Sequence, residues 1–150
     1  MTRLNLANLR VAVETATSRS REEEDSRATL DLIEQALKEL AGYAQFEKGW
    51  DGYRAEPFSL KILLQAQRMI AAIGQYFIRQ GITPDEITPG PANDGTLEIE
   101  VRYKDRYQLF GLDPESIHIS LFKRHGRKSQ QESFQLTAWS LESALDWLTF

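Results

Sequence analysis

Apolar residues recur along this chain first at helical and then at strand spacing. From Leu30, the positions Ile33, Leu37, Leu40, Ala41 and Ala44 keep an i, i+3, i+4, i+7 rhythm, which predicts an amphipathic helix. The acidic run Glu22-Glu23-Glu24-Asp25 precedes it, where a helix dipole favours negative charge, so Asp25 or Ser26 is the expected cap. Upstream, Leu6, Leu9 and Val13 give a weaker rhythm. Residues 1–25 are read as a short helix or an arm in front of one domain over 26–150.

A second helix is expected from Leu60 to Gln80, capped by Ser59 and stopped at Gly81. On a wheel of about 100° per residue, Ile62, Ala66, Met69, Ile70, Ile73 and Phe77 form one apolar face. Leu60, Leu64, Ala71 and Ile78 form another on the opposite side, and Lys61, Gln65, Arg68, Gln75 and Arg79 share a narrow strip. A helix with that much apolar circumference is sandwiched, between a sheet and another helix or between two subunits.

Three of the five prolines fall between Pro84 and Pro91, an extended link with a short edge strand at Glu86-Ile87-Thr88. The period then becomes two. Leu97, Ile99, Val101 and Tyr103 alternate with Glu98, Glu100 and Arg102; Tyr107–Leu112 follows, then Ile117, Ile119 and Leu121, with a weaker strand from Glu132 to Leu136. Lys104-Asp105 lacks the residues that two-residue hairpins prefer, so a longer turn is expected, with Tyr107 and Leu109 facing the core. A last helix, capped at Ser140, presents Leu141, Ala144, Leu145 and Leu148, leaving Trp147 and Phe150 off the stripe. The fold class is α+β: N-terminal helices, an antiparallel meander of three to four strands and a C-terminal helix.

Composition narrows the function classes. The net charge of −4 gives no general attraction to phosphate backbones or anionic lipid. The absence of cysteine removes disulfides, thiolate metal sites and a cysteine nucleophile, and fits a reducing compartment. No apolar run approaches about 18 residues and the start of the chain lacks a signal-peptide core, so a cytoplasmic protein without membrane contact is expected.

Candidate chemistry is sparse. His118 falls on a polar strand face and His125 in a basic turn, without metal-ligand spacing, and no phosphate loop or nucleophile elbow appears. Glu98 and Glu100 project from one strand face, about 6–7 Å apart, as an acid pair could, but solvated strand carboxylates commonly serve solubility. No catalytic residue, metal or cofactor is expected. The basic stretch with Lys123, Arg124, Arg127 and Lys128 is the one dense cationic patch and supports an alternative reading as a small nucleic-acid-binding regulator.

The loop around Trp50 and Asp51 is the most specific local feature: an indole that anchors the loop or meets a partner, and a carboxylate placed to accept backbone N–H groups. Gly49 to Ser59, Gly-Trp-Asp-Gly-Tyr-Arg-Ala-Glu-Pro-Phe-Ser, resembles the W-D-G-x-x-A-x-P-(I/F)-S signature of a family of small uncharacterised bacterial proteins. In that family the signature precedes a helix, a Pro-rich link, an Asn/Asp-Gly turn and a strand meander, an order matched here from Trp50 through about Leu121, with Asn93-Asp94-Gly95 at the turn. Val101 stands where a strand of the family often carries Trp. The resemblance implies a product of mobile or defence-type gene pairs with an antitoxin-like, partner-binding role. Together with the apolar surplus, it leads to the expectation of a non-catalytic protein that binds another protein or its own copy. The expected contact residues are Trp50, Asp51, Leu60, Leu64 and Ile78, joined by the aromatic Trp139, Trp147 and Phe150.

Overall fold

A computed structural model describes residues 6–52 and 55–150, with side chains from Arg21 onward other than Glu22. Helix α1 (Leu6–Tyr43) is a single run of 38 residues rather than a short helix or an arm followed by a separately capped helix; residues 1–5 of that expected segment lie outside the described residues. Neither Gly nor Pro interrupts the sequence before Gly42, and Ser or Thr costs a helix only a few tenths of a kcal/mol each, so nothing forces a break at Thr17–Ser20. The acidic run therefore lies within the helix and Asp25 and Ser26 cap nothing.

Helix α2 (Leu60–Gln80) begins where the Ser59 hydroxyl accepts the Ile62 N–H at 3.2 Å, and ends at Gly81 in the left-handed conformation. The face expected to be buried is buried, and Gly74 and Tyr76 join it. Gly74 marks where α1 lies against α2: a Cβ there would sit 2.0 Å from Ile33 Cδ1, so only a glycine admits this approach. Farther along, Leu37 and Leu40 of α1 and Leu63 of α2 line one groove between the two helices.

Five strands follow, one more than the upper expectation: β1 (Glu86–Pro91), β2 (Leu97–Tyr103), β3 (Arg106–Leu112), β4 (His118–His125) and β5 (Lys128–Gln135), paired antiparallel in chain order. The Pro-rich link supplies the additional strand. Pro89 and Pro91 lie in this edge strand, which α1 flanks. The β2–β3 turn has two residues, Lys104-Asp105, because Tyr103 pairs with Arg106. Lys104 adopts φ 55°, and its backbone N–H donates to Asp85 Oδ2 at 2.6 Å, a carboxylate that offsets the strain of a non-glycine residue in that conformation. The shorter turn reverses the expected facing. Gln108 and Phe110 point to the core, while Tyr107 and Leu109 lie on the other face.

Helix α3 (Ala138–Thr149) is capped by Thr137, not Ser140; Ser140 closes the reciprocal capping box three residues in. Its Leu141, Ala144, Leu145 and Leu148 are buried as expected. The helices gather on one face of the sheet and share a core with Ile87, Leu97, Ile99, Val101, Phe110, Leu112, Ile119 and Leu121. Ile117, expected inside with Ile119, precedes β4 and is 65% exposed. The Tyr76 hydroxyl ties α2 to α3 through Asp146 Oδ1 and Thr149 Oγ1, both at 2.7 Å, and burial pushes its pKa up to about 12. On the outer face, Leu109 pairs with Phe122 and Tyr107 lies between the Arg102 and Arg124 guanidinium groups. No helix among the described residues is long and apolar enough to cross a membrane.

Candidate functional site

The Trp50 loop closes on itself. Trp50 is half-buried: its ring lies 4.8 Å from that of Phe46 and 5.9 Å from that of Phe58, and its Nε1–H donates to the Glu56 carbonyl at 2.9 Å. Asp51 Oδ1 accepts the Ala55 N–H at 3.2 Å, and the Gly49 N–H donates to the Ala55 carbonyl at 2.7 Å. Gly52 sits at φ 82°, where an L side chain would be strained. The carboxylate and indole therefore serve the loop that joins α1 to α2. This is the geometry of an anchor.

Apolar surplus lies instead along the first half of α2. Leu60 is 71% exposed and Leu64 41%, whereas Ile78, near the far end, is half-buried. Leu60 and Leu64 border a groove of about 200 Å³ against Leu37 and Ala41 of α1 and Ala44 just after it. Leu64 also borders a hollow of about 480 Å³ with Ile117 and Leu136, rimmed by Lys61 and Arg68. Leu64 thus links two recesses into one apolar strip. Neither Lys61 nor Arg68 makes an ion pair among the described residues. Sequence periodicity found Leu60 and Leu64; Ile117 was missed because its alternation with Ile119 reads as strand core.

The C-terminal aromatics divide. Trp139 and Phe150 are 77% and 79% exposed. Trp147 is half-buried over the sheet, with the Arg106 guanidinium 5.4 Å and the Lys123 ammonium 5.1 Å from its ring centre. Arg106 also donates to the Trp147 carbonyl at the end of α3.

Strand alternation splits the basic stretch. Lys123 and His125 face the helices, while Arg124 stacks on Tyr107 on the outer face. Lys123 Nζ lies 3.6 Å from Glu132 Oε1, and His125 Nε2 lies 2.8 Å from Asp105 Oδ2. That contact holds the Asp105 carboxyl below its ordinary range. Arg127 and Lys128 join Arg106 and Lys123 around a hollow of about 560 Å³ beside Trp147. The four cations named from sequence therefore form two groups on opposite faces.

Glu98 and Glu100 share the outer face, where Glu100 pairs with Arg102 at 3.2 Å and Glu98 is exposed. His118 is exposed at the start of β4. Among the described residues no group of three or more His, Asp or Glu could hold a metal ion. Compared with protein-family models, curated proteins and solved structures, the chain matches none.

Proposed function

We propose that this chain is a non-catalytic binding protein that engages another protein through the apolar strip on α2. The observation that carries the reading is the strip itself: Leu60, Leu64 and Ile117 lie open to water around two connected recesses. Scattered exposed leucines need no explanation, but contiguous ones rimmed by charge mark an interface. Lys61 and Arg68 at the rim, which make no ion pair among the described residues, suit a partner segment that is apolar at its centre and acidic at its flanks. The signature at Trp50–Ser59 supports a cytoplasmic, antitoxin-like role in which that partner is encoded next to this chain.

The test is co-expression with the product of the adjacent gene. Wild type retains it, and Leu64→Glu weakens the complex by at least about tenfold, because a charge at the centre of an apolar contact meets acidic flanks. Position 64 is surface-exposed, so the variant's thermal unfolding stays near that of wild type. Undiminished binding by Leu64→Glu, or no complex with wild type, overturns the reading.

A second reading, nucleic-acid binding, is favoured by the cationic hollow at Arg106, Lys123, Arg127 and Lys128. It requires oligonucleotide affinity that falls steeply with salt and is lost in Arg127→Glu.

A further inference from the structure

The two edges of the sheet are built differently. Long bare edges invite another strand, and natural sheets blunt them with proline, bulges, charge or a covering element. β1 carries Pro89 and Pro91, has α1 beside it, and its Pro89 carbonyl accepts the Tyr43 hydroxyl at 3.1 Å. β5 has none of these. It runs eight residues, Lys128-Ser-Gln-Gln-Glu-Ser-Phe-Gln135, without proline, pairs with β4 in unbroken register, and is exposed at every position but Phe134. Its only charges are Lys128 and Glu132.

We infer that β5 pairs antiparallel with β5 of a second copy of this chain about a two-fold axis at Gln130, joining two sheets into one of ten strands. Two independent features select that register. First, opposite charges four residues apart are self-complementary about their midpoint: a dyad at Gln130 sets each Lys128 across from the other copy's Glu132. Lys128 has no ion-pair partner among the described residues, and Glu132 has about half its side chain exposed beside Lys123. The helix-facing side would then hold each Glu132 between its own Lys123 and the second copy's Lys128, with Gln130 against Gln130.

Second, backbone parity agrees. His125 and Lys128 close a two-residue turn, so they form a hydrogen-bonded pair, and Lys128, Gln130 and Glu132 spend their backbone groups on β4. Ser129, Gln131 and Ser133 therefore point theirs outward. A dyad at Gln130 places Ser129 opposite Gln131 of the other copy, matching outward groups with outward groups. Gln130 then faces its mate at a non-hydrogen-bonded position, with Cα atoms about 4.5 Å apart and side chains at their closest. This surface is separate from the α2 strip.

The chain has no cysteine, so a single introduced thiol reports cleanly. Under mild oxidation, full-length Gln130→Cys should form a covalent dimer, while Gln45→Cys, at an exposed site after α1, should not. In sedimentation equilibrium, wild type should dimerise. Lys128→Glu and Glu132→Lys should each weaken the dimer about tenfold by setting like charges opposite one another twice, and the double exchange should recover most of the loss. A wild type that stays monomeric to millimolar concentration overturns the inference, including the case in which an extended peptide of another protein occupies the edge. A dimer indifferent to both charge reversals and uncrosslinked at Gln130 also overturns it, since it would use another surface.

Discussion

Gly74→Ala tests whether α1 presses on the far side of α2, the packing that confines the exposed strip to the first half of that helix. Inside a helix, Ala is favoured over Gly by about 1 kcal/mol. Here the new Cβ would lie 2.0 Å from Ile33 Cδ1 and 2.4 Å from Ile33 Cγ1. Cγ1 is bonded directly to the Ile33 Cβ, so relief requires a change of χ1, and a β-branched side chain in a helix has one strongly preferred χ1. Overpacking of this kind costs about 1–3 kcal/mol, enough to outweigh the propensity gain and leave a net loss of about 1 kcal/mol. In an Ile33→Ala background the obstacle is gone, and the same substitution should stabilise by about 0.5–1 kcal/mol. Urea unfolding of the four proteins, with unchanged m values, reads this reversal of sign. Stabilisation by Gly74→Ala in both backgrounds would refute the close approach of α1 and free the whole of α2 for a partner.

Two further outcomes follow from the buried aromatics. Tyr76, with its hydroxyl pKa raised from 10 to about 12 mainly by burial, stays protonated in the fold after the unfolded chain has begun to ionise. This contribution to stability is therefore complete below pH 10 and is lost as pH rises through about 12, and Tyr76→Phe should lose that part of the decline when alkaline unfolding is compared with wild type. Trp50→Phe should cost about 1 kcal/mol in chemical denaturation through the lost bond to the Glu56 carbonyl, and Trp50→Ala about 2 kcal/mol, less than a fully buried tryptophan, with partner binding retained in both.

The sequence made legible whatever a single periodicity controls. The buried face of α2, the inner positions of β2 and α3, and both ends of α2 follow from spacing and capping alone. Three features escaped, two of them because they depend on contacts distant in the chain. Lys104 takes a glycine-like conformation with its N–H bonded to the Asp85 carboxylate, and the two-residue turn it forms sets which way Tyr107, Gln108, Leu109 and Phe110 face. The continuity of α1 went unread because weak helix formers look like a boundary when nothing else marks one. The exposure of Leu60 and Leu64 was legible as apolar surplus on α2, but not its division: α1 covers the helix at Gly74 and stands off from it at Leu60. The interaction residues named from the loop and from α3 fared differently, since Trp50 and Trp147 turned inward while Trp139 and Phe150 stayed open.

The two proposed surfaces are compatible for a geometric reason. Pairing about Gln130 joins Lys128 through Glu132 of the two copies and ends about 7 Å along the strand from the dyad, whereas Leu136, beside Ile117 and Leu64 in the strip, lies about 20 Å from it. A β5-joined dimer would leave both strips open, one on each copy. A partner that is itself dimeric, or two partners side by side, would then be held with the second contact made at high effective concentration, and modest affinity at each strip would suffice. The charge reversals at Lys128 and Glu132 remove only that gain, whereas Leu64→Glu removes the contact itself. The two classes of variant therefore separate assembly from recognition in one protein.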